Sequence, residues 1–417
     1  MRKITSLLVV SALAVSSVSA QNNTSSPYSR YGYGELVEPG FGYSKSLGGL
    51  SAGIRNYNHI NSANPASYTA IDTLGFRFEF GASIKCSKFT DNNNLTTKSW
   101  DQNLEYLALQ LPVTKWMGFS AGLQPFSFVG YQFGGKSVTP STISTDSLVV
   151  YTNYAGAGDI TQLYLGLGVE PFKNFNLGMN VYYNFGTVSH ASQVAFANSL
   201  YHSTLQKNEI SVHDWNVGFG AQYDYQLNEK RNLTVGLTFD LPSKMKASAE
   251  KEVVTANVDT VTLNFDNSFG LPLSFGAGFA YDINESWMIG ADYKFQKWSD
   301  VEYFGEKVFN DRQRFACGAE LLPDRLSKKF FKRMSYRVGA NFSNSYFDVN
   351  ENEFNQLAFS AGFGIPLRRV ANPTYLNLGF EYGRAGKKSE DMILEQYFKL
   401  SLNLSVNERW FVKRKFE

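Results

Sequence analysis

The chain has 417 residues, of which 43% are hydrophobic and 15% aromatic, and its formal net charge is +2. Losing Arg2 and Lys3 with a leader brings that charge to about zero, which excludes the basic surface a nucleic-acid-binding protein needs. After the leader no run approaches about 18 consecutive apolar residues, which excludes membrane-spanning helices.

Residues 1–20 read as a cleaved secretory signal peptide. Arg2 and Lys3 precede an apolar stretch centred on Leu7 to Val15, and Val18, Ser19 and Ala20 stand before Gln21. No cysteine lies near that cut, so a lipid anchor of the bacterial lipoprotein kind is not encoded. Residues 21–72 show no alternation and are rich in Gly, Ser, Asn and Tyr. The aromatic residues from Tyr28 to Tyr68 argue against full disorder, so this segment is expected to be a plug, with a disordered periplasmic tail as the alternative.

From Leu74 to Ser87 the pattern changes completely. Leu74, Phe76, Phe78, Phe80, Ala82, Ile84 and Cys86 alternate with Gly75, Arg77, Glu79, Gly81, Ser83, Lys85 and Ser87. This is a strand with one oily and one wet face. A globular strand usually runs about 5 to 6 residues, whereas a strand crossing a bilayer at a tilt needs about 9 to 11. Its length therefore favours a membrane barrel.

The same period predicts strands near 74–88, 101–112, 117–130, 148–170, 175–187, 209–226 and 231–247. A second half follows near 262–282, 286–299, 311–322, 334–346, 355–366, 375–386 and 394–406, fourteen in all. The spans 148–170 and 262–282 are long enough to hide breaks at Gly156–Gly158 and at Leu271–Pro272, and splitting both gives sixteen. Tight connections at Trp116, Pro171–Asn174, Asn228–Arg231 and Asp282–Ser286 each follow an even-numbered strand. The longer polar stretches 131–147, 188–208 and 248–261 are predicted as loops on the opposite side, the arrangement of bacterial barrels with short periplasmic turns. Closure is required because an open edge in hydrocarbon leaves backbone N–H and C=O groups unpaired. The expected fold is thus an all-β, transmembrane antiparallel β-barrel of fourteen strands. Residues 21–72 form its lumen plug, and residues 73–417 form the barrel and a short periplasmic tail.

On the wet faces of these strands lie Arg77, Glu79, Lys85, Asp240, Asp292, Lys294, Glu320, Arg337, Glu381 and Lys399. Their mixed signs fit either salt-bridged contacts to the plug or solvated lumen charges. Two stretches match G-x-S-x-G, around Ser51 and Ser120, but neither sits on a strand-to-helix elbow, so no catalytic residue is assigned. His59, His190, His202 and His213 lack ligand spacing and read as loop or lumen residues, so no metal or other cofactor is expected. Cys86 and Cys317 fall on the apolar faces of distant strands and read as two unpaired thiols.

Asn64, Pro65 and Ala66 stand just before the first strand. Leu271 and Pro272 open the pair running through Trp287, Ala291, Asp292 and Tyr293 to Trp298 and Ser299, and the chain closes with Trp410, Phe411, Lys413, Arg414 and Lys415. In these features, spread over nearly the whole chain, the sequence resembles the FadL family of outer-membrane transporters for hydrophobic compounds, and most closely its divergent members in the Bacteroidota. The resemblance implies a fourteen-stranded barrel in the bacterial outer membrane. Its Asn64-Pro65-Ala66 motif would end an N-terminal hatch, and a small hydrophobic or amphipathic ligand would move past that hatch. It also implies a lateral gate where the third strand kinks, at Gly122 and Pro125; Pro125 otherwise simply marks where that strand leaves the membrane. Some Bacteroidota relatives are non-catalytic barrel subunits of protein secretion or assembly machines, which makes outer-membrane proteins the alternative partners, beside outer-membrane lipid. A general porin ranks third, because a filled lumen blocks free diffusion.

Overall fold

The computed structural model describes residues 23–140, 147–196, 201–255, 260–266, 268–284, 286–349, 352–368, 370, 373–390 and 392–409. The leader and the tail from Trp410 onward lie outside the described residues. In chain order the strands are β1 (Glu35–Leu36), β2 (Gly75–Thr90), β3 (Thr96–Thr114), β4 (Met117–Pro140), β5 (Ser147–Phe172), β6 (Phe175–Phe196) and β7 (Thr204–Asn228). There follow β8 (Arg231–Asp240), β9 (Ser243–Met245), β10 (Ala247–Thr255), β11 (Val261–Asp266), β12 (Phe269–Leu271) and β13 (Leu273–Ile283). The last are β14 (Trp287–Lys297), β15 (Arg312–Leu321), β16 (Ser335–Val349), β17 (Asn352–Pro366), β18 (Tyr375–Ala385) and β19 (Leu394–Arg409). Two helical turns, α1 (Gly42–Lys45) and α2 (Phe330–Arg333), complete the set used below.

Every wall pairing is antiparallel. The ladder runs from β2 to β8, passes from β8 to β13, and continues to β19. The sheet closes where β19 pairs with β2, from Leu394 opposite Thr90 to Arg409 opposite Gly75. With β8, β9 and β10 forming one stave and β11, β12 and β13 the next, the described residues make fourteen staves, not sixteen. The period-2 pattern of β2 holds as read: Arg77, Glu79, Ser83, Lys85 and Ser87 are buried inside, while Ile84 on the other face is exposed to lipid.

Two staves depart from the predicted single strands. The stretch read as 231–247 stops at Asp240, before Leu241 and Pro242, and 262–282 divides at Pro272. Proline has no N–H to give a ladder, so regular pairing stops beside both prolines. The short pair β9–β12 fills the gap, with Met245, Phe269 and Leu271 buried in the interior. The other suspected break does not interrupt β5, because Gly158 and Gly186 absorb the bend at φ +122° and +143°. A Cβ on either would lie 2.1 or 2.2 Å from a carbonyl oxygen of the facing strand, so both positions require glycine.

The outer loops are a clearer correction. Strands β4 to β7 and β10 run on through most of 131–147, 188–208 and 248–261, which the alternation assigned to polar loops. The oily face reverses where the strands leave the membrane. Outward residues turn polar there, and inward Tyr131, Ile160, Val188, Ile210, Val212, Ala247 and Ala249 form an apolar core. A pattern search for outward oil therefore ends too early. This core joins Tyr28 and Tyr33 with Phe269, Trp298, Phe309, Tyr346 and Phe347, and so caps the outer mouth. At the other end the connections after β3, β5, β7 and β13 are tight, and both ends of the described barrel, Gly75 and Arg409, lie there.

Candidate functional site

The N-terminal segment lies inside the barrel, where Tyr33, Leu47, Leu50, Ala66 and Tyr68 have no solvent exposure. Asn64 begins the turn Pro65–Thr69, its Oδ1 accepting from the Ala66 N–H at 3.2 Å while Pro65 supplies a preset φ at the first position. The Asn64 Nδ2 donates 2.7 Å to the Ala52 carbonyl and reaches the Ala221 and Leu237 carbonyls of the wall at 3.4 Å. The wall is glycine where this motif rests: a Cβ on Gly178 would stand 2.3 Å from the Pro65 carbonyl carbon, and one on Gly236 1.8 Å from the Ala52 oxygen. Tyr68 and Thr69 then donate to Asn180 and Asn176 of the wall at 3.0 and 2.6 Å.

Most of the charges read from alternation meet this segment. Arg77 donates 2.9 Å to the Ala70 carbonyl and also reaches the Tyr57 carbonyl. Glu79 accepts from the Ile60 N–H at 2.9 Å, and Asp292 accepts from the Ser51 and Ala52 N–H groups at 2.5 and 2.9 Å. Glu320 takes the Tyr43 hydroxyl at 2.6 Å and Arg337 at 3.0 Å, with the Arg337 guanidinium 4.4 Å from the Tyr43 ring centre. Lys85 bridges Glu35 and Glu395 at 3.0 and 3.1 Å, and Lys294 lies 3.6 Å from Glu38. Lys399 acts through Glu105, which it meets at 2.5 Å while the hatch residue Lys45 meets the same carboxylate at 3.2 Å. Glu381 and Asp240 are held by the wall instead: Glu381 accepts from Tyr397 at 2.9 Å, and Asp240 lies by Ser274 and Lys294. The salt-bridged alternative thus describes the lumen better than free solvated charges.

Alternation could also have found Glu105, Arg312, Arg314 and Glu395, which share the inward face of their strands. It had no signal for Glu35 and Glu38, because the hatch has no period. Glu38 receives Arg312 in direct contact, with Arg314 at 4.0 Å. Burial alone would raise the Glu38 carboxyl, but Arg312, Lys294 and Arg314 outweigh it and hold the group well below the ordinary carboxylate range. This pairing contributes stability that is fully present above the unfolded carboxylate value of about 4.3 and is lost as pH falls below it. Acid titration of hatch seating is expected to weaken below about pH 4 in the parent, and the Glu38→Gln chain is expected to be weaker at neutral pH and flatter with pH. Limited proteolysis across pH 3 to 7 measures this, and parallel profiles would remove Glu38 from the account. Burial lowers the His59 pKa, so His59 accepts or donates hydrogen bonds as a neutral ring beside Ser405 at 3.1 Å and Glu79 at 3.5 Å.

The third stave carries the predicted gate residues. The β3–β4 ladder stops at Leu107 opposite Leu123, immediately before Gln124 and Pro125, and the β4–β5 register shifts between Pro125 and Ser127. Strand β1 of the hatch takes up the released edge, pairing Glu35 with Phe128 and Leu36 with Ser127, and the Val37 N–H donates 2.9 Å to the Phe126 carbonyl. Gly122 is tightly enclosed, since a Cβ there would stand 2.5 Å from the Leu107 oxygen.

Two cavities carry many charged side chains in their linings. One of about 150 Å³ lies between β1 and the wall and is lined by Glu35, Glu38, Lys45, Lys85, Glu105 and Lys399, among others. A second, of about 600 Å³, opens at the turn end between hatch residues 54–59 and the rim, where Asp224, Asp282, Glu320, Arg325 and Arg337 line it. Sites for apolar ligands are commonly about 300 to 1,000 Å³ with mainly apolar walls.

The remaining chemistry-bearing residues sit in structural surroundings. Ser51 lies against Asp292, and Ser120 bonds the Leu109 carbonyl and the Tyr164 hydroxyl at 2.9 and 3.0 Å. His190 meets the Tyr131 hydroxyl at 3.0 Å in the lumen, whereas His213 faces outward, contrary to its reading as a loop or lumen residue. Cys86 and Cys317 are free thiols, and no cluster of three or more metal-ligating residues occurs among the described residues.

The model of the BamG family matches residues 1–417. No protein of curated function matches the chain. Among solved structures, the CymD monoaromatic hydrocarbon channel is 15% identical with a TM-score of 0.57, covering 90% of this chain and 98% of its own. The P. putida toluene transporter TodX is 15% identical, TM-score 0.57, covering 90% and 99%. A Pseudomonas aeruginosa FadL homologue is 11% identical, TM-score 0.57, also covering 90% and 99%. At such identities the likeness shows the fold alone, a fourteen-stranded FadL-like barrel with an N-terminal segment.

Proposed function

Because the chain belongs to the BamG family, we propose that it is a non-catalytic barrel subunit associated with the machinery that assembles β-barrels in the outer membrane. One observation carries this reading: the hatch is built into the wall. Strand β1 holds the edge of β4, carboxylates on both sides of the hatch boundary are paired, and an aromatic core caps the outer mouth. Such a barrel presents a rigid surface to partners and needs no conduit. Affinity purification of the full chain from membranes extracted in mild detergent is expected to recover the machinery's central barrel in near-equal amount. Recovery of the chain alone, under conditions that keep that machinery intact, would sink the proposal.

A second reading is passive uptake of small hydrophobic or amphipathic molecules. It is favoured by the parting of β3 and β4 beside Pro125 and by the FadL-like fold. Gene loss would then slow entry of an apolar tracer while leaving barrel assembly normal.

A further inference from the structure

The turn end of the barrel is uneven. Most connections there are two or three residues, but residues 322–334 form a long one that carries Arg325, Lys328, Lys329, Lys332 and Arg333 against a single acid, Asp324. It also exposes Phe330 at 46% and Phe331 at 72%. This excursion is ordered by its own bonds. The Asp324 N–H donates 2.9 Å to the Lys332 carbonyl, and Arg333 donates 3.2 Å to the Ser327 carbonyl.

Its position relative to the wall is fixed by Tyr336. This residue lies between inward-facing Ser335 and Arg337, so its ring is on the lipid face, packed edge-on to Phe363 at 5.8 Å. Its hydroxyl donates 2.9 Å to the Phe331 carbonyl. Turn α2 is thereby tied to the outside of the barrel, at the same end as the exposed Trp116, Phe172 and Trp287. Aromatic residues at that level mark the membrane interface. Lys328, Lys329 and Lys332 are exposed and have no carboxylate partner among the described residues.

We propose that residues 322–334 bind the headgroups of anionic phospholipids in the periplasmic leaflet. Lys328, Lys329 and Lys332 hold the phosphates, while Phe330 and Phe331 enter the boundary between headgroups and acyl chains. The neighbouring connection extends the patch, with Leu367 and Val370 exposed on either side of Arg368. A lipid surface fits this patch because five cations outnumber the single acid Asp324 and its aromatic residues continue the membrane-interface ring.

The test uses the full chain in nanodiscs of phosphatidylethanolamine and phosphatidylglycerol, followed by native mass spectrometry of the lipids retained on extraction. The parent is expected to retain phosphatidylglycerol selectively. In the Lys328→Gln, Lys329→Gln, Lys332→Gln variant that selectivity should fall about tenfold or more. Phe330→Ser with Phe331→Ser should lower retention of both lipids, and heat-modifiable migration confirms that each barrel is folded. Equal lipid ratios for the parent and the lysine variant would overturn the proposal. So would a lysine variant that keeps its lipid but loses co-purifying protein.

Discussion

A chain lacking residues 23–70 is expected to fold into the same closed barrel and to conduct ions steadily, whereas the full chain remains shut. The wall ladder is complete without the hatch, since β2 to β19 pair with one another around the circle and β1 adds to it only by pairing with β4 from inside. Eight staves enclose a space that side chains can fill, while 16 to 18 leave a channel. Fourteen staves therefore need internal material, and the hatch supplies it. Its removal exposes Arg77, Glu79, Lys85, Asp292, Glu320 and Arg337 to water, which hydrates them readily. The aromatic cap also loses Tyr28 and Tyr33 from its centre. Conductance in planar bilayers should rise about tenfold or more over the full chain, with faster influx of large hydrophilic antibiotics into cells. A folded deletion barrel as tight as the parent would mean that Trp298, Phe309 and Tyr346 alone seal the mouth.

The wall was readable from sequence because a bilayer imposes the simplest pattern a chain can carry. Phe76 to Cys86 alternate with Arg77 to Ser87 for that reason, and so do Leu400, Leu402 and Leu404 with Ser401, Asn403 and Ser405. Where the solvent changes, the rule changes. Tyr131, Val188 and Ala249 point inward beyond the membrane, and there the same search saw only loops. The hatch was legible as a unit through its aromatic content and the Asn64-Pro65-Ala66 motif, but not in its contacts. Glu38 meets Arg312 and Lys294 across more than 250 positions of sequence, and only the closed topology brings them together. The inward carboxylates and cations could be named from the period alone, whereas which ones pair depends on stave order and register.

Replacing Arg337 with Met is expected to weaken hatch seating by about 3 kcal/mol, because it strands a buried carboxylate. The Arg337 side chain is 1% exposed, and it donates to Glu320, Asn377 and Ser335 at 3.0, 2.8 and 2.7 Å while lying over the Tyr43 ring. Without it Glu320 keeps only the Tyr43 hydroxyl as a hydrogen-bond donor among the described residues. Breaking a buried pair from one side costs about 3 to 5 kcal/mol, and water in the adjoining cavity of about 600 Å³ places this site at the lower end. Adding Glu320→Gln removes the stranded charge, so the double variant should regain about 2 kcal/mol over Arg337→Met alone. Arg55 lines the same cavity and offers a tryptic site on the hatch, so its cleavage rate from the turn end reports local unseating while the barrel stays folded. A single variant cut no faster than the parent, or a double variant cut as fast as the single, would show that the Arg337–Glu320 pair does not hold the hatch. The opposite result would establish that the lumen charges, rather than the Asn64 motif alone, keep the barrel closed.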